Sequence, residues 1–272
     1  MTLKGNGVPL DVTDDPKAHR SRTGAGVIRV ACNNRPMADT PPGRGTDPGP
    51  TNDRVRLRRL PDQGSHRRED LHAVLDAGFI CHLGLVVDGW PMVVPTNYAR
   101  DGDTLVVHGS AASRSLRTAK TPTPVCVTVT LVDGLVLARS VFNHSVNYRC
   151  AMVYGLPEIV DEPEAKLATL EALSERIVPG QWSYARSPSP KELAATTVLR
   201  LSLDEASVKV SEGPPDDDDA DLDLDIWAGV VPLTMVRHAP VPDPDLRADI
   251  GLPSHIASGP LGPGTQPLGH LD

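Results

Sequence analysis

Two Asp-Gly dipeptides, Asp88-Gly89 and Asp101-Gly102, punctuate three short apolar runs and constrain this chain more than any other feature. The runs are "FICHLGLVV" (79–87), "WPMVVPTNYA" (90–99) and "DTLVVHG" (103–109). Asp-Gly between such runs is a strong hairpin signal, because glycine adopts the positive φ that a tight turn needs. The three runs therefore predict an antiparallel meander. Asp133-Gly134 repeats the signal between "VCVTVTLV" (125–132) and "LVLARSVF" (135–142), predicting a second hairpin. "YRCAMVYGLPEIV" (148–160) continues the sheet with a bend at Gly155-Leu156-Pro157. "TTVLRLSL" (196–203) and "ASVKV" (206–210) read as a last strand pair.

Three segments carry helical patterns instead. "REDLHAVLDAG" (68–78) places Leu71, Val74 and Leu75 at helical spacing and stops at Gly78. "ASRSLRTAK" (112–120) is a short helix ended by the "TPTP" block. "DEPEAKLATLEALSERIV" (161–178) is amphipathic, with Leu167, Leu170, Leu173 and Ile177 as its stripe. Asp161 with Glu164 predicts a capping box, and Pro179-Gly180 end the helix. Six or seven short antiparallel strands with two or three peripheral helices predict a mainly β fold, a small closed or partly split barrel.

Pro (27) and Gly (23) crowd into residues 1–53 and 239–272, which show no apolar periodicity. Neither stretch can bury enough surface to offset its ordering entropy, so both are expected to be disordered tails around one folded domain, 54–238. Within that domain "DDDDADLDLD" (216–225) reads as a solvated, flexible acidic connection. It accounts for most of the net charge of −8. Without it the chain is near neutral, with no electrostatic case for nucleic acid or an anionic membrane. No apolar stretch approaches the roughly 20 residues of a membrane span. Cys32, Cys81, Cys126 and Cys150 form no CxxC pattern and follow no secretory segment, so buried, reduced thiols in the cytoplasm are expected. Residues 1–36 read as translated non-coding sequence, with Met37 as the natural start.

Familiar catalytic patterns are missing. There is no HExxH and no second His at ligand spacing, so no metal site is expected. GxSxG, P-loop and GxGxxG patterns are absent too. What remains is "LVVHGSAASRS" (105–115), where a strand ends on His108 and small residues follow. Small residues at 109–112 let backbone approach a ligand closely. Ser113 can N-cap the next helix, whose free N–H groups favour a phosphate. Arg114 opposes the helix dipole, which is easier to understand with an anion beside it. The residues alone leave two readings open, an anion site or an ordinary strand-to-helix turn. His108 is likewise either structural or catalytic.

In order, "GWPMVVPTNY", "LVVHGSAASRS", "VCVTVTLVDGLVLARS", "NYRCAMVYG" and "WAGVVPL" resemble the pyridoxamine 5'-phosphate oxidase-related flavin-binding proteins. The similarity spans roughly residues 55–236 and points to the branch that includes nitroimidazole-resistance-type proteins. It implies a split β-barrel that binds FMN at a homodimer interface and acts on a small molecule. By that resemblance Pro95, Thr96 and Asn97 meet the flavin ring, and Gly109, Ser110, Ser113 and Arg114 hold the phosphate. Arg149 also approaches the flavin. "QWSYARSP" (181–188) would reach across from the other subunit with Trp182, Arg186 and Ser187. His108 would stand beside the cofactor as the catalytic or ligand-binding residue. The chain departs from the family pattern at Ser115, where the oxidases carry Lys, and at Lys209-Val-Ser211, where near relatives read Lys-x-Arg. A late Arg-x-His pair is missing, so pyridoxamine phosphate oxidation itself is not expected. The resemblance implies an FMN-dependent oxidoreductase, with a non-catalytic flavin binder as the alternative. Haem in the same cleft, on His108 or His144, and deazaflavin in place of FMN are the other cofactor readings.

Overall fold

The computed structural model describes residues 46–259 and the backbone of 266–267. The proposed start at Met37, Cys32 and most of the N-terminal tail lie outside the described residues, whereas the C-terminal stretch from 239 is described through Gly259. The strands are β1 (Gly64–Ser65), β2 (Ile80–Val87), β3 (Trp90–Asp101), β4 (Thr104–Ser110), β5 (Val125–Leu137) and β6 (Ser145–Gly155). They continue with β7 (Glu158–Ile159), β8 (Thr196–Ser202), β9 (Glu205–Ser211) and β10 (Gly229–Pro232). The helices are α1 (Arg68–Ala77), α2 (Arg114–Ala119), α3 (Pro163–Ile177), α4 (Gln181–Tyr184), α5 (Pro190–Ala194) and α6 (Ser254–Ser258).

The meander forms as its turns require. Asp88 and Gly89 both take positive φ (51° and 79°), and Gly102 takes φ 56°. β2 alternates cleanly, with Cys81, Leu83, Leu85 and Val87 buried and Ile80, His82 and Val86 exposed. Its buried residues join Leu71, Val74 and Leu75 of α1 in the main core. Gly78 ends α1 in an extended conformation. A Cβ there would stand 2.8 Å from the Tyr98 hydroxyl, so glycine is needed for space. That hydroxyl donates to the Leu75 carbonyl (2.7 Å), satisfying the one polar atom of a fully buried ring.

The third Asp-Gly is not a turn. β5 runs unbroken through it, with a register shift between Val132 and Gly134 against β6. Gly134 keeps negative φ, because it is needed for close approach. A Cβ on it would meet Val230 Cγ1 at 3.0 Å and the Val231 carbonyl at 3.1 Å on β10. The reversal comes later, at 138–144, so the predicted hairpin becomes one long bulged strand facing β6.

The sheet order is β1-β9-β6-β5-β2-β3-β4-β8-β7, with β10 also on β5. β6 leads into β7 through the Gly155-Leu156-Pro157 bend, yet the two lie far apart in that order. Likewise β8 and β9 do not pair as the sequence suggested. Only Leu203 and Asp204 separate them, but β8 lies on β4 and β9 on β6. Two short connections between distant strands roll the sheet up into a barrel. Leu199, Leu201 and Val208 accordingly share one core with Leu83 and Val127.

Two other expectations change. α3 starts at Pro163 after Glu162, without the Asp161–Glu164 box, and proline at the first position suits an end with no N–H bond to make. A capping box does form at α5, between Ser189 and Glu192. The acidic loop is also pinned at one point. The Asp217 side chain is only 2% exposed and accepts from the Arg139 backbone N–H and guanidinium, both at 2.8 Å. Burial raises its pKa, but these bonds outweigh that and leave it lowered.

Candidate functional site

β3 changes partner along its length. Trp90–Asn97 pair with β2, whereas Tyr98–Asp101 pair with β4. β4 in turn continues on β8, from Thr104 to Ser110. The barrel wall therefore forks between Asn97 and His108, bridged by the Thr96 hydroxyl donating to the His108 carbonyl (3.3 Å). This fork is where the sequence placed its candidate residues.

On the outer side of the fork lies α3. Leu173 and Ile177 pack on Ala99 and Val106, as the helical stripe predicts. Leu167 is exposed instead, and Leu170 turns to a cavity of about 480 Å³. Asn97, His108, Ser174, Trp182, Arg186 and Thr196 complete most of its wall. The His108 Nδ1 is buried there without a hydrogen-bond partner. Burial lowers the pKa of the ring, holding it neutral. A buried nitrogen with no partner is costly, and His108 is the imidazole that lines the cavity.

The 180–186 segment is held from both ends. Glu175 of α3 accepts from the Gly180 and Trp182 N–H groups at 2.6 and 2.8 Å. Those bonds keep its carboxyl below the usual range. Arg186 forms a fork with Glu192 (2.7 and 2.9 Å), and Ser187 is exposed beside it.

The remaining candidates stand elsewhere. Ser113 occupies the N-cap of α2, but its hydroxyl bonds to Ser115 (2.9 Å) and leaves the helix end uncapped. Ser115 is buried, so no cation takes the place of the family lysine. Arg114 is 56% exposed and pairs with Asp88 of the first turn. The cation that suggested an anion thus has one within the chain, a partner no local pattern reveals. Ser110 Oγ accepts from the Ala112 N–H (3.2 Å), and Gly109 gives room to Leu116, whose Cδ1 would lie 2.8 Å from a Cβ. Pro95 is exposed on the outer face of β3. Arg149 lies outside the fork. It pairs with Asp133 (2.7 and 2.8 Å) beside a second cavity of about 800 Å³, walled by Phe79, Ile80, Leu131 and Met235. Lys209 donates to the Arg59 carbonyl (3.2 Å) and belongs to the packing of the N-terminal segment.

Sequence reasoning missed the Leu170, Ser174, Thr196 and Glu192 portions of the wall. Leu170 was visible only as one more stripe residue, and the others carry no pattern. Among the described residues no group of three His, Cys, Asp or Glu side chains could hold a metal ion.

Comparison with known proteins places this architecture. A comparison with curated proteins gives no match. Among solved structures, the flavocytochrome Anf3 from Azotobacter vinelandii is 37% identical, covering 79% of this chain and 100% of that one, with a TM-score of 0.75. The FAD and haem binding protein from Mycobacterium smegmatis is 42% identical, covering 74% of this chain and 98% of that one (TM-score 0.70). The pyridoxamine 5'-phosphate oxidase family profile matches residues 67–210, more than half the chain. Residues 67–210 run from the start of α1 nearly to the end of β9, the barrel that creates the fork, and the chain belongs to the pyridoxamine 5'-phosphate oxidase family.

Proposed function

We propose that this protein is a flavin-binding oxidoreductase that also carries haem. The flavin would lie along the β3–β4 fork and the start of α2, between two copies of the chain. The cavity beneath α3 would hold haem, with His108 as the residue that would bind its iron. His108 carries the reading: its neutral ring stands in a cavity of about 480 Å³ with a buried, unpartnered Nδ1. A neutral imidazole is the form that binds iron, and apolar walls such as Leu170 and Ile177 suit a planar macrocycle. His144 fits less well, since its Nε2 is bonded to the Ala138 carbonyl (3.2 Å). The two relatives, a flavocytochrome and a FAD and haem binding protein, support the pairing of cofactors.

The cofactors would supply hydride and single-electron chemistry, and the protein their placement and surroundings. Arg114 would exchange Asp88 for a flavin phosphate, joined by the uncapped N–H groups of α2. Thr96 and Asn97 would offer polar atoms to the ring edge, and the partner copy would close the site with its Arg149 cavity.

The absorption spectrum of the purified protein tests this directly. Flavin bands near ~450 nm and a haem band near ~400 nm are expected together. Mass spectrometry of the released flavin separates FMN from FAD and deazaflavin. Arg114→Ala should weaken flavin binding about 10- to 150-fold, the loss of one charge-assisted bond worth about 1.5–3 kcal/mol. NADH or NADPH bleaching of the flavin divides enzyme from binder. A colourless protein that takes up neither cofactor would overturn the reading.

A further inference from the structure

We infer that the C-terminal segment 253–259 positions the cavity wall, by latching the turn that carries Trp182. The segment lies beyond the residues matched by the family profile, which end at 210. It nevertheless touches the 180–184 turn at three points. His255 Nε2 bonds to Gln181 Oε1 at 2.9 Å. Its ring meets that of Tyr184 at 5.2 Å between centroids. Its Cβ and Cγ press on Gly180, where an added Cβ would find them at 3.2 and 3.3 Å.

The turn has no apolar anchor of its own, so polar contacts set its position. α4 is a single four-residue turn with no buried residue. Gly180 bends into it with φ 86°, a conformation only glycine takes freely. From below, Glu175 gathers the Gly180 and Trp182 N–H groups. From above, His255 closes over the same residues. α6 itself is tethered, since Arg237 donates to the Ile256 and Gly259 carbonyls (3.3 and 3.0 Å). Trp182 is thus a cavity residue whose backbone is fixed by α3 on one side and by the C-terminal segment on the other. Gln181 Oε1 can only accept, so His255 must donate from Nε2, which it does whether the ring is neutral or charged. His255 is therefore a positioning residue.

The test uses the full chain with Trp90→Phe and Trp227→Phe, leaving Trp182 as the only tryptophan of the original three. Losing one neutral hydrogen bond should raise the open fraction of the latch about fivefold, so His255→Ala should increase iodide quenching of Trp182. His255→Gln keeps a donor for Gln181 and should restore most of the protection. Gly180→Ala, which pushes a methyl group into His255, should act like His255→Ala. Unchanged quenching in both His255→Ala and Gly180→Ala would overturn the inference. Haemin titration of the same proteins separates this result from the proposed function, on which the consequence for ligand binding rests. If haemin binds none of them while quenching responds, the latch stands and the haem reading fails. If haemin binds all of them alike and quenching does not respond, the latch falls.

Discussion

His108 and Arg114 lie close in sequence, yet burial and charge treat them oppositely. Arg114 is mostly exposed and already paired with Asp88, so a phosphate there must compete with a carboxylate. His108 is half-buried with an unpartnered nitrogen, so burial alone works against its protonation. Its folded pKa is lowered from 6.5. As pH falls through that value the unfolded chain binds a proton that the folded chain resists. The stability is full above the unfolded pKa and declines as pH drops toward the folded one. His108→Gln should remove this part of the acid sensitivity, measured as a smaller loss in urea midpoint between about pH 7.5 and about pH 5.5. Parallel losses in the variant and the original protein would show that the ring does not titrate this way. That His108 stands near the end of a strand was legible in the sequence, although β4 runs two residues further, to Ser110. Its orphaned nitrogen was not, because that depends on α3, which lies more than fifty residues downstream.

Elements show why one signal can mean two things. Asp88-Gly89 and Asp101-Gly102 turn because the apolar runs around them end there. Asp133-Gly134 interrupts a run that continues on both sides, and β10 arrives from far along the chain to lie on it. Local sequence carries the glycine, but only β10 gives the reason for it. Gly134→Ala should cost about 1–3 kcal/mol through overpacking against Val230 and Val231. The effect should appear as faster proteolytic cleavage within 212–236, where β10 would loosen. Unaltered cleavage would mean that the close approach is easily relaxed. The α3 stripe has the same lesson. Leu173 and Ile177 fulfil their periodic role, whereas Leu170 ends at a cavity whose opposite wall no periodicity foretells. Caps were less legible still, since the acid-rich start of α3 is capped by geometry and proline, and the true box lies at Ser189 and Glu192.

For the molecule as a whole, the outer face of β2 and β3 is left apolar. Val86 and Val93 (64% exposed) stand on it, Trp90 (75%) opens β3 opposite Val87, and Val141 and Phe142 (90%) crown the β5–β6 reversal. A second copy covering these exposed apolar side chains is the occupant that the proposed flavin site calls for. Light scattering should therefore give twice the chain mass, and Trp90→Lys with Val93→Lys should halve it and release flavin. A monomeric parent protein would refute the pairing. Among the described residues no helix is long and apolar enough to cross a membrane. The mainly β barrel was readable from turn spacing, while the connection that closes it was not, because β8 and β9 look like a hairpin and are not one.

That closure has a consequence for how the chain is made. During synthesis the β2–β3–β4 meander and the β5–β6 pair can assemble as they leave the ribosome, since their contacts are close in sequence. The free edge of β6 then waits for β9, whose last residue is Ser211. Until then β6 presents unpaired N–H and C=O groups beside an open core, the condition under which nascent β proteins associate wrongly. The two residues between β8 and β9 shorten that wait. Once β8 has docked on β4, β9 is delivered to the β6 edge with almost no chain left to search.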